Sequence, residues 1–283
     1  MNFFGGMMSP TELFSCENQR VLVVGGATGM GEAAARLAAN AGARVVVMDR
    51  VNVSEPGVQF ISIDLSERDS IDTALELLNG PVDVVLSCAG VADGVPGIER
   101  INFIGHRYMI DRLLDRGWLP AGSAIGMISS AAGLGWQAEL SDITEFLAIK
   151  NWDDAVKWVI DHNKANYLFI KRAMCAYVAS ESVALLRRGV RINALCPGPT
   201  DTPLARANAE TWLGFGADFR EDIGIEPSTP AEQAAVLLFL CSRSSVALTG
   251  QTVIADSGYL MAGLSGAYPS ATPVAEFLFG KYG

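Results

Sequence analysis

The sequence predicts an α/β fold, a doubly wound parallel sheet of about seven strands with helices on both faces. Three observations predict it. Short, wholly apolar, β-branched runs recur along the chain, as expected of strands buried on both sides in a helix-covered parallel sheet. Helix-like stretches separate these runs, and strand–helix alternation builds such a sheet. Half of the 283 residues are hydrophobic (50%) and only 18% are charged, which fits a large core and excludes disorder.

The strand candidates, in order, are VLVV (21–24), RVVVM (44–48), FISI (60–63), VDVVLS (82–87), AIGMIS (124–129), VRINAL (190–195) and QTVIA (251–255). Between them, 32–40, 70–78 and 231–240 read as helices. Two regions depart from plain alternation: 136–165, and the Pro/Gly-punctuated 197–230, which follows a strand's C-terminal end, where open α/β sheets bind ligands. With no internal repeat or low-complexity linker, the expected organisation is one dinucleotide-binding domain over 1–283, carrying a helical insertion at about 136–165 and a substrate loop at about 199–230.

Charge and cysteine usage narrow the partners. A net charge of −10 argues against nucleic acid, whose phosphates demand a basic surface, and gives no support for an anionic membrane. The five cysteines are scattered without a CxxC pair, and His106 and His162 are the only histidines, so no metal site or disulfide framework is expected. The opening MNFFGGMMSP lacks the charged start and apolar stretch of a signal peptide, and no apolar run reaches spanning length. A cytoplasmic protein without membrane contact is expected.

The first strand runs into Gly25-Gly26-Ala27-Thr28-Gly29-Met30-Gly31 and then an Ala-rich helix. Glycines permit a tight turn and close approach of a pyrophosphate, and the helix N-terminus offers free N–H groups. An ordinary tight turn would use the same glycines; the strand–turn–helix order near the chain start favours a nucleotide site. The second strand ends at Asp49, whose carboxylate can accept both ribose hydroxyls and would repel a 2′-phosphate, favouring NAD. The neighbouring Arg50 can instead accommodate that phosphate, and Asp49 can also serve as a strand-end cap. Asp64, closing the third strand, reads as a turn residue or a contact to the adenine amino group.

Tyr167 and Lys171 stand four residues apart, on one face of a helix. A tyrosine near pKa 10 is a poor base at neutral pH. An ammonium at ~4 Å in an effective dielectric of ~20 favours the phenolate by about 4 kcal/mol, which would bring the phenol toward the working pH. The pair alone also fits an ordinary helical surface; its place after the nucleotide motifs raises it.

Gly25-x-x-x-Gly29-x-Gly31, Asp64-Leu65, Ser87-Cys88-Ala89-Gly90 and Tyr167-x-x-x-Lys171 resemble the successive motifs of the short-chain dehydrogenase/reductase superfamily. Val24 replaces the usual first threonine, and Ser-Cys replaces Asn-Asn before Ala89-Gly90. The resemblance covers about residues 17 to 260 and implies a Rossmann fold, hydride transfer between an alcohol or ketone and NAD, and a homodimer or homotetramer. It implies a catalytic group of Asn102, Ser130, Tyr167 and Lys171, with Ser129 the alternative to Ser130. Asn102 matches the family's helix-kinking asparagine, and each of Asn102 and Ser130 has a plain capping role as its other reading. The implied cofactor contacts are Gly25, Thr28, Gly29, Met30, Asp49, Asp64, Leu65, Cys88, Ala89, Gly90, Tyr167, Lys171, Pro197, Gly198, Thr200 and Thr202. Asp256-Ser257-Gly258 resembles the family's closing Asp-Gly-Gly.

The stretch from Ser130 to Tyr167 is longer than is usual in that family and holds Trp136, Phe146, Trp152 and Trp158. A similar insertion occurs in 3α-hydroxysteroid dehydrogenase/carbonyl reductases and coniferyl-alcohol dehydrogenases, implying a bulky hydrophobic or aromatic substrate. The insertion's aromatics can wall a pocket, cover a subunit-contact face, or pack on the chain's own helices. Two other functions use parts of this pattern: a nucleotide-sugar epimerase or dehydratase, which carries a larger C-terminal region, and a non-catalytic NAD-binding sensor, which has no need of all four catalytic-group residues.

Overall fold

The computed structural model describes residues 9–280; residues 1–8, which make up most of the opening segment read for a leader, lie outside the described residues. Seven strands form one parallel sheet: β1 (Arg20–Val24), β2 (Arg44–Asp49), β3 (Val58–Ser62), β4 (Val84–Ser87), β5 (Ala124–Ile128), β6 (Arg191–Pro197) and β7 (Thr252–Ala255), in the order β3-β2-β1-β4-β5-β6-β7. The fold is the α/β Rossmann arrangement that the alternation predicts, and order reverses between β1 and β4, the crevice where such sheets hold ligands.

Alternation along each strand decides what its residues meet. Val21, Val23, Val45 and Val47 face the Gly29–Asn40 and Pro230–Cys241 helices. Leu22, Val24, Val46 and Met48 face the opposite layer, with Ile71 and Leu75 of Arg68–Leu78, Ile110 of Gly105–Asp115 and Ile170 of Tyr167–Arg187. Both faces are therefore apolar, which is why the strands read as unbroken hydrophobic runs.

The 136–165 stretch holds two helices, Leu140–Ala148 and Trp152–Asp161. Asn151 caps the second helix by accepting from the Asp154 N–H (3.1 Å), with Asp153 and Asp154 in the first turn. Its aromatics turn onto the chain's own core. Phe146 packs against Phe103 (5.8 Å between ring centroids) and Phe169 (5.8 Å), while Trp152 meets Tyr108 edge-on at 5.6 Å. The Thr272–Leu278 helix also docks on the chain, burying Ala275 and Leu278. Its end passes so close to Gly135 that a Cβ there would lie 2.4 Å from the Leu278 carbonyl oxygen.

Arg100–Ile104 is one π-helical turn, closed by the Gly105 N–H on the Arg100 carbonyl, and it leads straight into the Gly105–Asp115 helix. Ser257 adopts φ 58°, a left-handed conformation that the glycine of the family pattern takes without strain. No helix among the described residues is long and apolar enough to cross a membrane.

Candidate active site

The C-terminal ends of β1, β2, β3 and β4 open into a cavity of about 250 Å³. Of the sequence-predicted cofactor residues, Gly25, Thr28, Gly29, Met30, Asp49, Asp64, Leu65, Cys88, Ala89, Gly90 and Thr202 line it. The glycines are required by shape. A Cβ on Gly31 would sit 1.9 Å from the Gly25 carbonyl oxygen, and Gly25 itself has φ 85° with its α-carbon backed onto Ala89. Thr28 stands at the N-cap of the Gly29–Asn40 helix without a side-chain cap bond, so the first-turn N–H groups remain available to an anion. Glycine cradle, helix N-terminus and rim carboxylate together fit a dinucleotide.

Asp49 lies on the rim. Its Oδ2 accepts the Ala27 N–H at 2.9 Å and its Oδ1 accepts the Val51 N–H at 2.9 Å, so the carboxylate also ties β2 to the glycine turn. Arg50 shares the same rim. Asp64 accepts the Ser66 N–H (2.8 Å) and hydroxyl (2.6 Å); burial pushes its carboxyl up, but Ser66, Arg50 and Arg100 outweigh this and hold it below the usual carboxylate range.

The rest of the predicted set falls into two places. Asn102, in the π-turn, is fully buried and clamps Val91: its Oδ1 accepts the Val91 N–H (2.7 Å) and its Nδ2 donates to the Val91 carbonyl (3.0 Å). A Cβ on Gly90 would lie 3.4 Å from Asn102 Oδ1 and 3.9 Å from Lys171 Nζ, so the cavity floor adjoins both residues. Pro197, Gly198 and Thr200 do not line the cavity. Thr200 donates to the Gly198 carbonyl (2.9 Å), and Gly198 packs against Asp256, where a Cβ would approach to 2.7 Å. Thr202 reaches the cavity rim opposite Gly29, with its hydroxyl capping the Pro203–Ala207 helix.

Tyr167 is the first residue of the Tyr167–Arg187 helix. Asn166 caps that helix through the Phe169 N–H (2.9 Å), and Asp93 accepts the Tyr167 N–H (3.1 Å), a contact without a sequence signal. Of the two serines, Ser129 is buried and donates to the Lys171 carbonyl (3.1 Å), while Ser130 is the one beside the Tyr167 phenol. Ser130 also accepts the Ala132 N–H (3.2 Å), which fixes its hydroxyl.

The electrostatics depart from the expectation that Lys171 draws the phenol toward neutral pH. Burial pushes Tyr167 up to about 12, with the Ser130 hydrogen bond opposing it. Burial also lowers Lys171 to about 8. The ammonium donates to the Ile128 carbonyl at 2.9 Å and lies 5.6 Å from the phenol ring centroid, and burial is the largest cause of both shifts.

His106 is buried beneath this floor, with Nε2 3.0 Å from the Ala89 carbonyl and no partner for Nδ1. Burial lowers it to about 4, with Lys171 adding to the effect, so it is neutral and donates from Nε2 to the segment lining the cavity. Its folded value lies below the unfolded one, so the unfolded state takes up the proton first as pH falls. Folding stability is expected to drop by about 3 kcal/mol between pH 6.5 and 4 on this account. Urea unfolding across that window should show the slope in the wild type and a flatter one in His106→Gln; equal slopes would refute the assignment.

Comparison with known proteins agrees with this geometry. Residues 19–104 match the short chain dehydrogenase family, and residues 154–260 match the family described as enoyl-(acyl carrier protein) reductase. A coniferyl-alcohol dehydrogenase from Pseudomonas sp. strain HR199 is 28% identical over 85% of this chain and 96% of its own length. A 3beta-hydroxysteroid dehydrogenase from Mediterraneibacter gnavus is 25% identical over 92% of this chain and 99% of its own. The crystal structure of the 3-alpha-hydroxysteroid dehydrogenase from Pseudomonas sp. B-0831, complexed with NADH, superposes with a TM-score of 0.70 at 26% identity, covering 88% of this chain and 99% of that one.

Proposed function

From the premise that the chain belongs to the short-chain dehydrogenase/reductase superfamily, we propose that it is an NAD-dependent oxidoreductase interconverting an alcohol and a carbonyl compound, on a bulky hydrophobic or aromatic substrate. The observation that carries the reading is the Tyr167 phenol facing Ser130, with Lys171 of the same helix reaching the floor of the glycine cavity.

Bound in that cavity, NAD supplies the hydride acceptor at its nicotinamide ring. Gly25, Thr28 and Gly29 receive the pyrophosphate, Asp49 the adenosine ribose, and Lys171, through its remaining N–H groups, the second ribose. Ser130 holds the substrate oxygen, which stabilises charge developing there. Tyr167, as the phenolate, accepts the proton of the alcohol in oxidation and, as the phenol, gives it to the carbonyl oxygen in reduction. Its buried phenol is held protonated at neutral pH, the form that donates. Asn102 acts indirectly, by fixing the Gly90–Val91 floor. Assembly as a homodimer or homotetramer belongs to the same reading, supported by the exposed Val183 and Leu186 on the long helix, and so does a cytoplasmic location, supported by the five cysteines standing as free thiols.

The rim carboxylate supports NAD over NADP, because a 2′-phosphate would face Asp49 as well as Arg50. Reduction of each cofactor, followed by absorbance with a panel of cyclic and aryl alcohols, tests this. The wild type is expected to prefer NAD at least about tenfold in kcat/KM, and Asp49→Ser to erase most of that preference, a change of about 1.4 kcal/mol. Preference for NADP in the wild type would overturn the cofactor assignment. NAD binding without turnover of any alcohol would replace the enzyme with a sensor.

A further inference from the structure

Phe146, Trp152 and Trp158 of the insertion are buried in the chain's core and Trp136 packs partly buried against it, and the ring beside the phenol comes from elsewhere in the fold. Among the described residues, the aromatic ring in contact with Tyr167 is Trp212, at 5.4 Å between centroids and tilted by 46°. Trp212 ends the short Ala209–Trp212 helix in the segment that follows β6. That segment spans both halves of the site: Thr202, Pro203 and Leu204 border the cofactor cavity, while Trp212 lies against the phenol.

The backbone that carries Trp212 is held in place. Arg220 donates to the Leu213 carbonyl and to the Phe215 carbonyl (2.7 Å), clamping the residues just after Trp212. Phe215 stacks edge-on against Tyr259 at 5.3 Å, which ties the segment to the C-terminal helices. Arg206 pairs with both oxygens of Asp201 (2.6 and 2.7 Å), and Thr200 bridges Ser228 at the segment's base. A side chain on a pre-organised support discriminates between ligands better than a mobile one, because less ordering opposes binding.

We propose that Trp212 is a specificity-determining residue, the flat wall on which the ring of a planar aryl alcohol packs while its hydroxyl reaches Tyr167 and Ser130. The inference rests on the reading of Tyr167 as the proton-transfer residue and adds the feature that selects the substrate. Indole is half-buried here, so part of its surface remains to meet a second ring, and aromatic pairs pack at such spacing. An unbranched aliphatic alcohol gains nothing comparable from that face.

The test is calorimetric titration of cinnamyl alcohol into the NADH-loaded wild type, W212A and W212F, a pairing of reduced cofactor with alcohol that cannot react. NADH affinity and melting temperature are measured alongside. W212A is expected to weaken cinnamyl alcohol binding about tenfold and W212F by less than about threefold, with NADH affinity unchanged in both. Equal binding in the wild type and W212A would overturn the proposal. So would no measurable binding to the wild type, W212F as weak as W212A, or a parallel loss of NADH affinity, which would mark a structural role. Binding that follows the expected pattern, with no turnover of this or any other alcohol when NAD replaces NADH, would overturn the proton-transfer reading while keeping Trp212 as the wall that binds the aryl ring.

Discussion

Tyr167→Phe is expected to lose about 10³-fold in turnover while binding NAD within about twofold of the wild type. The phenol oxygen is the only group removed. The phenylalanine ring keeps the contact with Trp212, and Ser130 loses its phenol neighbour but keeps its Ala132 N–H donor. Lys171 retains its hold on the Ile128 carbonyl, and the cofactor cavity, which Tyr167 does not line, keeps its shape. Initial rates of NADH formation and a nucleotide titration by fluorescence separate the two quantities. Turnover within tenfold of the wild type would place the proton transfer on another residue, and a parallel collapse of NAD affinity would mean that the ring had been holding the cofactor floor.

Gly31→Ala should be as damaging to binding as Tyr167→Phe is to chemistry. The added methyl would meet the Gly25 carbonyl oxygen at 1.9 Å and the Cys88 β-carbon at 3.1 Å. Neither is the free end of a flexible side chain, and Gly25 cannot retreat because it rests on Ala89. The turn must open, which moves the helix N-terminus away from the position an anion needs. A loss of about 1–3 kcal/mol in stability is expected from overpacking, with NADH affinity reduced by at least about 100-fold, or about 2.7 kcal/mol. Thermal unfolding and NADH fluorescence read the two effects. NADH affinity within threefold of the wild type would show that the cradle is not the pyrophosphate site.

Much of this architecture is legible in the amino-acid order because it is local. VLVV followed by a glycine turn and an Ala-rich helix needs no distant partner to be recognised, and the same holds for Asp49 at a strand end and Tyr167 four residues before Lys171. The start of β3 escapes because the strand lies at the sheet edge: Val58 and Gln59 join by pairing with Val45 and Val46, while Gln59 stays exposed and interrupts the apolar run. The contacts around Tyr167 escape for a different reason. Asp93 reaches its N–H across 74 positions of chain, and Trp212 arrives from the segment beyond β6. The insertion's aromatics draw attention by composition, yet Phe146 and Trp158 are buried on Phe169. The acidity of the phenol also depends on burial, which spacing along one helix cannot supply.

The π-turn at Arg100–Ile104 gives the chain a phase slip. Residues before it and after it do not share one helical wheel, because the wide turn consumes one residue more than an α-turn. His106 and Arg107, just past the turn, are both buried. The same arithmetic inverts the ordinary ranking of mutations. Deleting one residue usually rotates the rest of a helix out of register; within 100–104 it would restore α-helical geometry upstream and downstream. What it would destroy is the alignment between Asn102 and Val91, and with it the footing of the cofactor floor. In this stretch local regularity and usefulness are opposed, and the surplus residue is what keeps them apart.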